Sequence, residues 1–208
     1  MNSFIVPETI SPINNKKVLT VQYREVEFGT DESKITITLL DEMMEQGLVG
    51  MISSSMFKEN IAIIISETPD DDDFSFACLG CGKEGKAPRV VIAKQLLDEL
   101  KAGELVANVI LMHEIGHYFN SDIGDNLDNN DDRRRELVSK NKVCPKEVKA
   151  DAFAVKYLGK DTVIDGLQEL QRRILIDFAD YDEESVQITI KEINIRISRI
   201  EKTKEEKE

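Results

Sequence analysis

The sequence is poor in the residues that most often build cofactor sites and disulfide frameworks. It has two histidines, three cysteines and no tryptophan in 208 residues. Three cysteines make no disulfide framework, so the fold must rest on an apolar core. Basic residues are also in deficit, with 27 Lys and Arg against 40 Asp and Glu and a net charge of −13. Nucleic acid and anionic membranes are therefore poor partners, because phosphate binding needs a basic surface, and no nucleic-acid partner is expected. No apolar run approaches the roughly 18 residues of a membrane span, so no integral membrane association is expected. The opening stretch, Met1 to Pro7, lacks a basic segment followed by a sustained apolar one, and no secretory signal is expected. Cytoplasmic localisation follows as the default.

Apolar content of 41% and charged content of 32% fit a globular chain able to bury a core unaided. We read residues 1–208 as a single domain: an N-terminal elaboration over 1–60, a core over 61–180, and a C-terminal helix with a frayed tail over 181–208. Residues 1–16, with Pro7, Pro12 and Asn14-Asn15, read as an irregular lead-in. Strands are predicted over Val18–Phe28, Ile61–Ile65, Phe74–Cys78 and Arg89–Ala93, where β-branched and apolar residues cluster. A helix is predicted from Asp31 or Ser33 to Gln46, with Ile35, Leu39, Met43 and Met44 on its inner face and Gly47 just past its end. Glycines mark a turn over Gly80–Gly85.

Helices are predicted over Lys94–Lys101 and Glu104–Asn120. The polar stretch Ser121–Lys142 reads as an acidic loop whose spacing does not fit a calcium loop. Pro145 opens the next helix and Gly159 closes it. Another helix follows from Asp161, with Val163, Leu167, Leu170, Ile174 and Phe178 at helical spacing. In the last segment Val186, Ile188 and Ile190 alternate like a strand. Val186, Ile190, Ile193, Ile197 and Ile200 keep helical spacing over a longer window, which favours helix.

Both histidines fall in one five-residue segment, His113-Glu114-Ile115-Gly116-His117. Residues four apart on a helix share a face, so two imidazoles here can converge on one cation. Glu114, directly after the first histidine, is placed to accept a proton from a water that the metal activates. The surrounding helix is apolar nearly all round, from Leu105 and Val106 to Tyr118 and Phe119, which marks it as central to the core. Buried histidines and a glutamate need partners, and a metal supplies them. The competing reading is a chance match with two hydrogen-bonded core histidines.

A catalytic zinc site needs three protein ligands and an open position. With no third histidine, the third ligand is a carboxylate or a cysteine. In Glu147-Val148-Lys149-Ala150-Asp151-Ala152-Phe153-Ala154, residues Glu147, Ala150, Asp151, Ala154 and Leu158 share one helical face. Small alanines there permit close approach to the histidine helix. Glu147 is the expected third ligand, and Asp151 the expected partner of a histidine's second nitrogen. Cys78-Leu79-Gly80-Cys81 is a lone CxxC with only Cys144 beside it. That is too few ligands for a second site, so it reads as two ordinary cysteines in a turn.

HEIGH followed by EVKADAFA resembles the HExxH…ExxAD pair of the gluzincins that include the CAAX prenyl proteases and the HtpX-type heat-shock proteases. The ImmA/IrrE-type soluble metalloproteases carry a similar pair. Phe76 to Gly80, Arg89 to Ala93, Leu96-Leu97 and Glu104 to Val106 resemble the first family's hairpin, turn and start of the histidine helix. The resemblance covers roughly residues 61–170. It implies an α+β, zincin-like fold: a small mixed sheet with an edge strand packed on a central HExxH helix, and a helical C-terminal half. It implies a zinc metallopeptidase in which His113, His117 and Glu147 bind Zn2+ and Glu114 is catalytic. The expected partner is a peptide or protein substrate lying extended along Arg89–Ala93. The chain departs from that family in having no membrane helix and no histidine near the C-terminus. Tyr157, Tyr181, Arg196 and Arg199 are open alternatives for the oxyanion donor. A rival reading keeps the scaffold and metal but makes the protein a regulatory or binding protein with little or no proteolysis.

Overall fold

A computed structural model describes residues 2–7, 18–66, 77–80, 88–120, 131–177 and 183–203. These residues form a mixed α+β fold. The strands are β1 (Asn2–Pro7), β2 (Val18–Phe28), β3 (Ile35–Leu40), β4 (Leu48–Ser54), β5 (Ile61–Ile65), β6 (Ala77–Gly80) and β7 (Arg89–Ile92). The helices are α1 (Lys94–Ala102), α2 (Leu105–Phe119), α3 (Asp131–Ser139), α4 (Pro145–Leu158), α5 (Lys160–Asp177) and α6 (Glu183–Lys202). The strands join in one sheet of order β1-β2-β3-β4-β5-β7-β6. Every pairing is antiparallel except β5 with β7, which is parallel.

Alternation along the strands selects the face that meets the helices. Ile35, Ile37 and Leu39 of β3, Ile61 and Ile63 of β5, and Val90 and Ile92 of β7 are buried. Between them Arg89 is exposed, while Thr36, Ala62, Ile64 and Val91 are only half-buried. The inward residues join one core with Leu96 and Leu97 of α1, Leu111, Met112 and Ile115 of α2, Val163 and Leu167 of α5, and Ile193 and Ile197 of α6. Helix α2 lies at the centre, in contact with α1, α4, α5 and β6. Its apolar circumference is explained by that position.

Three local expectations are corrected. The lead-in contains a strand: β1 pairs along its whole length with β2, from Asn2 opposite Tyr23 to Pro7 opposite Val18. Phe4-Ile5-Val6 is a strand-forming triplet, and Pro7 is tolerated because β1 is an edge strand. The helix expected up to Gln46 is instead strand β3 and the first part of a short 3-10 turn over Glu45–Gly47, which leads into β4 at Leu48. Ile35, Leu39 and Met43 fit a four-residue spacing. However, Ile35, Ile37 and Leu39 also alternate with the β-branched Thr36 and Thr38, and the alternation prevails. Met43, expected on the inner face, is 63% exposed. The acidic loop contains helix α3. Its residues are polar, yet Val138 is buried, and Arg134 and Arg135 form ion pairs with Glu192 and Glu184 of α6. Tertiary ion pairs, invisible to local pattern, hold it.

Other expectations agree. Strands β2 and β5 and helices α1, α2, α4, α5 and α6 occur where predicted, within a residue or two at their ends. Gly159, with a φ of 87°, follows α4. The Phe74–Cys78 strand is seen as Ala77–Gly80, while residues 74–76 and the turn over 81–85 lie outside the described residues. So do Phe178 and Tyr181. No helix among the described residues is long and apolar enough to cross a membrane.

Arg173 of α5 ties three helices together. Its Nη1 donates to Glu99 Oε1 of α1 at 2.6 Å, its Nη2 to Glu104 Oε2 at 2.9 Å, and its Nε to Glu169 Oε1 at 3.0 Å. Glu104 is the N-cap residue of α2, so this fork fixes the start of the histidine helix. Glu99 is buried, and removing its cation would strand its charge. Arg173→Met should therefore destabilise the protein by about 1–3 kcal/mol, the partial exposure of the cluster holding it below the full cost of a buried broken pair. Urea unfolding of the metal-free protein measures this, and an unchanged midpoint would refute it.

Candidate metal centre

The site is built where α4 crosses α2. At that crossing stands Gly116, the fourth residue of the HExxH segment. A Cβ at Gly116 would lie 2.9 Å from both Cα and O of Ala150 and 3.0 Å from Cβ of Phe153. Backbone contacts of that kind cannot relax cheaply, so only glycine lets the helices approach this closely. Ala150 and Ala154 of α4 are fully buried against this region, as their small side chains predict.

The close approach brings three ligand atoms together. His113 Nε2 lies 3.0 Å from Glu147 Oε2, His117 Nε2 lies 3.1 Å from His113 Nε2, and His117 Nε2 lies 3.4 Å from Glu147 Oε1. Four ligands at zinc's usual bond lengths of about 2.0–2.1 Å lie about 3.3 Å apart along a tetrahedron's edges. The observed triangle has that size. Two Nε2 atoms facing each other at 3.1 Å can share one proton at most, and a cation between them would satisfy both lone pairs. His113, His117 and Glu147 thus form a group that can hold a metal ion.

The outer face of His113 is held as well. Its Nδ1 lies 2.9 Å from Asp151 Oδ1, and Arg196 Nε of α6 donates to Asp151 Oδ2 at 2.9 Å. Arg196 Nη2 also donates to Asp151 Oδ1. Nη2 and His113 Nδ1 are 3.1 Å apart because both give a proton to this oxygen. With Nδ1–H engaged by Asp151, the Nε2 lone pair of His113 is left for the centre. Asp151 thus takes the position expected of it. Arg196, one of four alternatives for an oxyanion donor, is instead a half-buried partner of Asp151. Its pairing partner lies 45 residues away in sequence, and no local signal connects the two. Tyr157 donates to Met56 Sδ at 3.5 Å, and Arg199 is exposed.

Between Val109 and Tyr118 helix α2 is closed over most of its surface but open along one stripe. Ile110, Glu114, His117 and Tyr118 are only half-buried, whereas His113, Ile115 and Gly116 are buried. The spacings i, i+4, i+7 and i+8 make this a single strip, so Glu114 faces outward beside the ligand pair. One expectation about this cleft is corrected. Arg89–Ala93 is not an edge: β7 is paired with β5 on one side and β6 on the other. Among the described strands the edge at this end of the sheet is β6, which also packs beside α2. Cys78 stands on β6, and Cys81 lies outside the described residues.

Charge at the centre follows from its contacts. Burial and the positive Arg196 press His113 towards neutrality, but hydrogen bonds to Asp151 and Glu147 outweigh them and hold its pKa up at about 9. Burial works against the Glu147 carboxylate too, but the two histidines and Arg196 keep it far below the usual carboxylate range. Asp151, likewise opposed by burial, is drawn down to about 2 by Arg196 and His113. Burial also opposes the Arg196 charge, and Asp151, Glu147 and Glu192 more than restore it. In the metal-free protein a proton therefore occupies the place a cation would take.

No protein-family model, curated protein or solved structure matches this chain.

Two outcomes are expected. The first concerns pH. The folded pKa of His113 is raised above its ordinary value of 6.5, so its stabilisation is complete below 6.5 and is lost as pH rises through about 9. The metal-free protein should melt at a lower temperature at pH 9.5 than at pH 6, and His113→Gln should flatten that difference. Metal affinity should run the other way and rise over the same interval, because the ligand must be neutral. A metal-free Tm that is flat or rising across this range would contradict the assignment. The second concerns helix packing. Gly116→Ala should push α4 off α2, destabilise the fold by about 1–3 kcal/mol and weaken metal binding. Both are readable by chemical unfolding and chelator competition, and an unchanged metal affinity would show that the close approach is dispensable.

Proposed function

We propose that this protein is a zinc-dependent endopeptidase with a zincin-like catalytic core. The observation that carries the reading is the triangle of His113 Nε2, His117 Nε2 and Glu147 carboxylate oxygens, with edges of 3.0–3.4 Å, beside a half-buried glutamate on the same helix. Two imidazoles and one carboxylate are the ligand set of a catalytic zinc with an open position. Asp151 supports it by fixing the His113 tautomer.

A zinc ion held there would polarise a peptide carbonyl and acidify a water. Glu114 accepts the proton of the attacking water and delivers it to the leaving amine nitrogen as the C–N bond breaks. His113, His117 and Glu147 fix the position of the reaction, and their rigid seat on two packed helices supplies orientation. An extended substrate would add alongside β6, the edge among the described strands, placing its backbone along the open stripe of α2. Arg196 is held by Asp151 through Nε and Nη2 and by Glu147 through Nη1, so the donor to the developing oxyanion would come from elsewhere.

Glu114→Gln tests this reading, since it keeps shape and hydrogen bonding but removes the basic oxygen. The variant should bind zinc and melt as wild type does, while peptide turnover falls at least about 100-fold, the lower bound of general-base effects. A peptide library with mass-spectrometric readout supplies the substrate. Equal turnover by the two proteins would exclude the mechanism. Absence of cleavage by zinc-loaded wild type across a broad library would instead favour a metal-binding regulatory protein.

A further inference from the structure

Helix α6 supplies no atom to the ligand triangle, yet one of its side chains reaches the centre. Ile193, Ile197 and Ile200 are buried in the core and seat the helix. Arg196 belongs to the same stretch and directs its guanidinium at α4. Its Nε and Nη2 donate to the two carboxylate oxygens of Asp151. Its Nη1 forms an ion pair with Glu147, 3.8 Å from Oε2. Glu147 and Asp151 stand one turn apart on α4, so a single planar group touches both carboxylates of that helix.

Each of these carboxylates has its own part in the centre. Glu147 lies 3.0 Å from His113 Nε2 through Oε2 and 3.4 Å from His117 Nε2 through Oε1. Asp151 Oδ1 lies 2.9 Å from His113 Nδ1. Two ionised carboxylates on one helical face, four residues apart, repel each other, and a cation shared between them removes that repulsion. The distances show how Arg196 divides its contacts. Asp151 receives two hydrogen bonds, whereas the Glu147 contact is too long for one. Glu147 is steadied, and its oxygens stay available to a metal ion. A positive charge beside a cation site also opposes the incoming ion. Asp151 offsets that charge at closer range than the ion would feel it, so the orienting effect prevails.

Resting on the metal-centre reading above, we propose that Arg196 is a positioning residue for the metal centre. Its fork holds Asp151 and Glu147 together and so fixes one ligand histidine and the ligand carboxylate at once. Through it, the orientation of the centre depends on a helix that contributes no ligand.

The test uses the full chain, with zinc and cobalt(II) as probes. Zinc affinity is read by competition with a chromophoric chelator. The visible spectrum of the cobalt(II) protein reports ligand geometry independently of turnover. Arg196→Met removes the fork and should weaken zinc binding by at least about tenfold, the lower end of what partners of metal ligands contribute, and alter the cobalt spectrum. Arg196→Lys keeps the charge, but one ammonium cannot replace a planar fork. It should give a smaller loss in the same direction, and it decides the question if Arg196→Met fails to fold. Lys160→Met is the control for looser packing of α6. Lys160 Nζ donates to Glu201 O at 2.7 Å and to Thr203 O at 3.2 Å, which ties the start of α5 to the end of α6 away from Arg196. In that variant zinc affinity and spectrum should stay at wild-type values even where urea unfolding of the metal-free protein shows a loss of stability.

Wild-type zinc affinity in folded Arg196→Met would overturn the proposal. So would wild-type affinity in Arg196→Lys, which would reduce the effect to charge, or an equal loss in Lys160→Met, which would reduce it to docking of α6. Wild-type protein that binds no zinc would fail at the earlier step and overturn the metal-centre reading itself.

Discussion

The closeness of α4 to α2 is the constraint on which the candidate site depends. Neither helix carries the site alone. Helix α2 offers two imidazoles at one-turn spacing, and α4 offers two carboxylates at one-turn spacing. The two pairs meet only because Gly116 presents bare backbone where Ala150 passes, with a hypothetical Cβ 2.9 Å from Ala150 Cα. A wider crossing would leave Glu147 short of the histidines and Asp151 short of His113 Nδ1. Gly166 of α5 plays a similar part on another side of α2, where a Cβ would lie 2.6 Å from Val109 Cγ2. Small residues thus set how deeply α2 is enclosed, and its enclosure leaves one open stripe that contains Glu114.

Enclosure of that kind makes polar groups expensive, and the site answers by pairing them. Among the described residues no buried side-chain nitrogen or oxygen lacks a partner. The chain His113–Asp151–Arg196 shows how this is done: each group supplies what the next requires, and its buried charges compensate one another. Such an array contributes little to stability against an apolar packing of equal volume. Under the proposed function its purpose is orientation. It leaves the His113 Nε2 lone pair directed at the centre and keeps the Glu147 carboxylate ionised, the two conditions a metal ligand set must meet.

Much of this was legible in the sequence because it is local. His113 and His117 share a face by helical geometry, as do Glu147 and Asp151, and no knowledge of the fold is needed to see it. Pro145 and Gly159 bracket α4 through their own backbone restrictions. The β-branched runs at Val18–Phe28 and Ile61–Ile65 declare strands for the same reason. Local reading failed where two periods fitted one segment, as at Ile35–Met43, or where the holding force was distant. Helix α3 has almost no apolar face, and the arginines that secure it look like surface charge until Glu184 and Glu192 of α6 are placed opposite.

The sequence by itself determined the inventory of candidate ligands, the faces on which they stand, and the α+β character of the chain, because these follow from bond geometry and side-chain chemistry within a few residues. The tertiary structure alone decided which strand is the edge beside α2. Sheet order arises from non-local pairing, and β6 comes to lie outside β7 although it precedes it in the chain. It alone brought Glu147 to within 3.0 Å of His113. It alone joined Arg196 to Asp151 and Arg134 to Glu192, since ion pairs between distant segments exist only after packing has set the distances between the helices that carry them.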